Sequence, residues 1–212
     1  WSKRSSASNG TDKTPHANYR TCPALKEPSI SFNCLVGHMD FWTAHAVFGG
    51  AGSEVRWYEI DPTVPRLDQS GVVTDPDLQT FFFFGSLAPD RAVDGTSAQF
   101  GSNMVLGFDQ SSTTIDVQIA MVSKIGAKPQ SAPVVVKTSP GPNVDAICFS
   151  SGRGACRWGD YSGASPDPTP GTTKSGRVWL TNEWNVASAD DNDFDWRTWN
   201  WAATPRRRGK TP

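Results

Sequence analysis

Histidine is nearly absent from this sequence, with three His among 212 residues. There is also no Cys-x-x-Cys, so the nitrogen- and sulfur-rich spacing of a zinc site does not form. Charge is sparse at 19%, and the formal net charge is −1. That balance gives no general attraction to nucleic acid or to an anionic membrane. The only basic cluster is the tail "RRRGK" at 206–210, short enough to be solvated. No run approaches the ~18 apolar residues of a membrane span. Gly-x-Ser-x-Gly, P-loop and dinucleotide fingerprints are missing, which removes the usual sequence signs of a hydrolase elbow or a nucleotide site.

What the chain does have is turn chemistry and large rings. It contains 19 Gly, 16 Pro and nine Trp, with 11% aromatic residues. Short alternating stretches are broken by Gly, Pro, Asp or Ser, and no stretch carries a helical apolar period. This is the pattern of an all-β protein with large cross-strand side chains. Residues 1–28 read as a polar N-terminal arm, 29–204 as the β body and 205–212 as a basic C-terminal tail. The chain begins with Trp1 rather than Met, which fits a processed product or a sequence that starts late.

One plan recurs. "MDFWTAHAVFGGAGSEVRWYEIDP" (39–62), "SNMVLGFDQSSTTIDVQIAMVSK" (102–124) and "GRVWLTNEWNVASADDNDFDWRTWNWAA" (176–203) each read as strand, turn, strand. Further strand-like pieces lie at 80–87, 134–137 and 160–165. Val55, Val117 and Trp196 serve as equivalent second-strand starts. Each unit then offers three or four antiparallel strands, which is the make-up of a propeller blade. About three blades do not close a ring of typically about four to eight. The expectation is therefore a β-propeller segment completed by another chain or by upstream blades, with a two-sheet β-sandwich as the alternative fold.

Four Cys fall in two sequence-near pairs, Cys22 with Cys34 and Cys148 with Cys156. Read as disulfides, they imply an oxidising, secreted or extracellular setting. Asp191, Asp193 and Asp195 alternate as at the start of a calcium loop. No Gly follows Asp195 and no bidentate Glu stands at the right distance, so a solvated hairpin turn competes with a Ca²⁺ site. No other cofactor is implied.

The order "RWGDYSGASPDP…GRVWLTNEW…WRTWNW" over 146–203 resembles bacterial secreted sialidase-like β-propeller proteins, and the hairpins at 39–124 resemble their preceding blades more weakly. Sialidases place a nucleophilic Tyr followed by Ser, then a strand ending in a Glu that steadies a substrate-binding Arg. The resemblance therefore implies Tyr161 and Glu183 as candidate catalytic groups and Arg157, Trp158 and Asp160 as ligand-binding candidates. A Tyr nucleophile suits a cationic anomeric centre flanked by the substrate's own carboxylate. The Asp-box Ser-x-Asp-x-Gly-x-Thr-Trp is absent, and "SADDNDFDWRTW" (188–199) only echoes it. No complete Arg triad can be placed.

A structural reading stands beside the functional one. Trp158 and Tyr161 can fill a gap between layers, Gly159 can make a tight bend, and Glu183 can pair with Arg177 or Arg197. The expectation is an extracellular, non-catalytic structural or interaction module. The alternative is a glycan-directed protein, a sialidase-like glycosidase or a sugar-binding module.

Overall fold

Alternation decides the local structure. In "EVRWYEID" the apolar Val55 and Trp57 are buried, while Arg56 between them is exposed. Successive residues of a strand point to opposite faces, so such a segment buries one side of a sheet. The computed structural model describes residues 6–7, 16–18, 38–62, 64–90, 103–143, 158–159, 161–167, 176–186 and 196–205. Among the described residues every regular element is a strand. They are β1 (Ser6–Ala7), β2 (His16–Asn18), β3 (His38–Val47), β4 (Glu54–Asp61), β5 (Arg66–Val73), β6 (Phe81–Pro89), β7 (Asn103–Ser111), β8 (Gln118–Ile125), β9 (Val134–Thr138), β10 (Gly163–Pro166), β11 (Val178–Asn185) and β12 (Trp196–Ala203).

The strands form three antiparallel sheets. In the first sheet β3, β4 and β5 run as a meander, and β1 and β2 both pair with β3. The second is the meander β6-β7-β8-β9 and the third is β10-β11-β12. Segments of the expected N-terminal arm thus contribute two short strands to the first sheet.

The sheets are layered, and the second lies in the middle. Trp42, Ala44, Val55, Trp57 and Val73 of the first sheet pack with Phe82, Leu87, Met104, Leu106, Phe108, Ala120 and Val122 of the second. The other face of the second sheet, with Ala88, Val105 and Ile119, packs against Val178, Leu180 and Trp201 of the third. Covered on both sides, β7 has Met104 through Asp109 all buried. That explains its unbroken apolar run, since a strand buried on both faces does not alternate.

Polar and cationic ties reinforce both seams. Trp57 Nε1 donates to Gln130 Oε1 at 2.7 Å, and the Gln130 amide donates to the Val72 carbonyl at 2.9 Å. At the second seam Lys137 Nζ lies 4.4 Å from the ring centroids of both Trp184 and Trp199.

The expected hairpins are present, but their equivalence shifts by one strand. β3 packs on β6, and β6 packs on β10. The first strands of the three meanders, β3, β6 and β10, are therefore neighbours at the seams. β3–β4 joins first and second strands, whereas β7–β8 and β11–β12 join second and third strands. Aligned by β3, β6 and β10, the three meanders start at residues 38, 81 and 163, steps of 43 and 82 residues. The first step falls within the roughly 40–50 residues of a compact blade. Strand β6 carries a bulge between Phe83 and Ser86, with Phe84 at a φ of 50°. An extra residue of this kind bends a strand and re-aims the side chains beyond it.

Candidate functional site

At the seam between the second and third sheets, apolar packing gives way to a polar cluster. Val105, Gly107 and Asp109 alternate along β7 on the face toward the third sheet. Asp109 is 0% exposed. Both of its carboxylate oxygens accept a hydrogen bond. Trp158 Nε1 donates to Oδ2 at 3.0 Å, and Asn182 Nδ2 donates to Oδ1 at 3.1 Å. Asn182 Oδ1 in turn accepts from Trp201 Nε1 at 3.2 Å. The chain of bonds links β7, β11, β12 and the segment before β10.

Burial dominates the electrostatics. Loss of water pushes the Asp109 carboxyl up to about 8, against the downward pull of the bonds from Trp158 and Asn182. The nearby Glu183 carboxylate adds a smaller upward push. A carboxyl shifted this far holds a proton at neutral pH. At zero exposure, no substrate reaches it without parting Trp158 from the sheet.

Gly159 makes the close approach possible. Its φ is 53°, a left-handed value that disfavours a side chain. A Cβ there would also lie 3.0 Å from Glu183 Oε2 and 3.2 Å from Phe84 Cζ. The bulge residue Phe84, the bend at Gly159 and Glu183 thus meet at one point beside Asp109.

Of the site residues expected from sequence, Trp158 and Glu183 come together here. Tyr161 does not share their burial, and its ring is 77% exposed. Arg157, Asp160, Asp191, Asp193 and Asp195 lie outside the described residues, as do Cys22, Cys34, Cys148 and Cys156. Among the described residues no group of three or more His, Cys, Asp or Glu side chains is placed to hold a metal ion. The residue that sequence reasoning misses is Asp109, the centre of the cluster. Its only signal is a lone acid at the end of the apolar run "MVLGFD". No helix of the described residues is long and apolar enough to cross a membrane.

No family model matches the chain, and neither does any curated protein or solved structure.

Proposed function

We propose that the chain is a non-catalytic interaction module, a propeller-like stack of sheets that receives a further layer from another chain or from more of its own polypeptide. One observation carries this reading. Register places Phe41, Ile60 and Leu67 side by side across β3, β4 and β5. They lie on the face opposite the buried Trp42 and Ala44. Phe41 is 45% and Leu67 55% exposed. The middle sheet, covered on both faces by neighbouring layers, supports reading this row as a place for one more layer. The Asp109 cluster supports the same reading, since its polar groups satisfy one another at a seam between layers. Work outside the cytoplasm is proposed with it, on the two sequence-near cysteine pairs.

Light scattering on the size-exclusion peak of native material, with every chain identified by intact mass, tests the proposal. An assembly above 23.0 kDa is expected, burying roughly 800 Å² per partner. Phe41→Glu with Leu67→Glu should dissociate it while leaving the β fold intact. A stably folded, monodisperse monomer of 23.0 kDa would remove the reading.

A glycan-directed role is the second reading, and a different face favours it. Trp179 and Trp196 lie on the outer face of the third sheet, 44% and 51% exposed. Thr181 and Asn200 stand as a cross-strand pair between them along the strands, joined side chain to side chain at 2.6 Å. Exposed rings beside hydroxyl and amide groups suit sugar stacking. Trp179→Ala and Trp196→Ala tested on a glycan array separate this reading from the first.

A further inference from the structure

A cleft of about 540 Å³ opens between β5 and the turn that follows β8. Trp57, Ser70, Gly71, Lys124, Lys128 and Gln130 are among the residues that line it. Gly71 lets the Trp57 indole pack close to β5. A Cβ at that position would fall 2.6 Å from three atoms of the Trp57 indole. The ring therefore lies against bare backbone, buried beneath the cleft.

The charges in the cleft do not balance locally. Lys124 is 5% exposed, and its ammonium donates to Gln69 Oε1 and to the Gly126 carbonyl. Glu59, also 5% exposed, accepts from Gln69 Nε2 at 2.5 Å. Asp68, on the cleft wall, is met by Arg66 Nε at 2.6 Å. Lys128 adds a second, exposed ammonium at the mouth. With Glu59 set against Lys124, and Asp68 against Arg66, Lys128 brings further positive charge to the opening. Ser70, exposed on β5, is also among the residues that line the cleft.

We propose that this cleft binds a small organic anion, a carboxylate-bearing molecule of about monosaccharide size. Volume and charge together select that class. A bare inorganic anion would leave most of the space to water, and a neutral ligand would leave the exposed Lys128 ammonium to water alone. Lys is a compact point charge that suits a flexible polar ligand, where Arg would impose a planar fork. The state of Lys124 agrees. Burial holds its ammonium below the ordinary lysine range, and the Glu59 carboxylate offsets this only in part. A carboxylate entering the cleft favours the charged amine. Binding therefore takes up protons and weakens as pH rises through the depressed pKa.

The test is titration of the isotope-labelled full chain with glucuronate, glucose and inorganic phosphate, read by NMR at the Trp57 indole N–H, the Gly71 amide and the Gln130 carboxamide. Glucuronate should give saturable shifts at these groups with a Kd on the order of 1 mM. Glucose, the same ring without the charge, should give none in that range. Lys128→Ala removes an exposed side chain and should weaken glucuronate by about two- to five-fold, and added salt should weaken it further. Lys124→Met should abolish binding; if that variant does not fold, Lys128→Ala decides alone. Equal binding of glucose or of phosphate overturns the proposal, as does glucuronate binding unchanged in Lys128→Ala. Absence of saturation up to roughly 50 mM overturns it too.

Discussion

Gly107 lies directly beneath Leu180. A Cβ at position 107 would fall 2.7 Å from Leu180 Cδ2 and 2.9 Å from Trp201 Cζ2. The middle sheet is thus bare backbone where the third sheet's largest apolar groups press closest. Gly107→Ala adds one methyl with no space for it. It should cost about 1–3 kcal/mol by overpacking. For a chain of this size that is a fall in Tm of about 2–4 °C per kcal/mol. Calorimetry reads it directly, and an unchanged Tm would mean the seam is looser than these distances.

The Lys137 ammonium between Trp184 and Trp199 ties the edge of the middle sheet to the third sheet. Lys137→Met keeps an apolar stem and removes the charge. It should destabilise by about 0.5–2 kcal/mol, the range of one cation–π contact. Lys137→Arg keeps the cation and should recover most of that. Urea unfolding of the three proteins decides the matter. Equal stability of Lys137→Met and wild type would show the contact to be idle.

Much of the architecture is legible in the sequence. The "VRWYE" alternation is β4, and the run "TFFFFGSL" is nearly all β6. Strand β5 is not legible. Its "RLDQSGVV" has apolar residues at 67, 72 and 73 and no alternation. Trp57 of the paired strand supplies the apolar cover, with its ring lying over Gly71. The equivalence of the hairpins is also hidden, because which strand stands first in a sheet depends on packing between sheets. At the candidate site, Trp158 and Glu183 stand out by residue type. Asp109 does not, because its donors Trp158 and Asn182 lie 49 and 73 residues away in sequence. A lone acid after an apolar run looks like the end of a strand until both donors are placed.

The cysteines give a prediction that rests on sequence alone. Cys22–Cys34 and Cys148–Cys156 should be the disulfides, the second closing a nine-residue segment just before Arg157. Loop-closure entropy puts each at about 2–3 kcal/mol. Non-reducing peptide mapping should recover the two bridged peptides. Four free thiols would remove the pairing and the argument for an oxidising compartment with it.

Asp109 makes stability depend on pH in an unusual direction for an acid. Its carboxyl lies at about 8 in the folded chain and near 3.9 when unfolded. Between those values the folded chain keeps a proton that the unfolded chain has released. Stability from this group is therefore fully present below about pH 4 and is lost as pH rises through about 8. The shift corresponds to at most about 6 kcal/mol, and any relaxation that lets water in makes it smaller. Asp109→Asn removes the titration. Its carboxamide oxygen can still accept from Trp158 or Asn182, while its NH₂ group faces the other donor, so a fixed cost of about 1–3 kcal/mol is expected. Urea unfolding of both proteins at pH 5 and pH 8.5 separates the two effects, because only the wild type carries the Asp109 titration. The stability difference between them should shrink or reverse at the higher pH as the wild type loses the Asp109 contribution. A difference that stays constant across that range would show that Asp109 is already ionised at pH 5, stabilised by its two donors strongly enough to offset its burial.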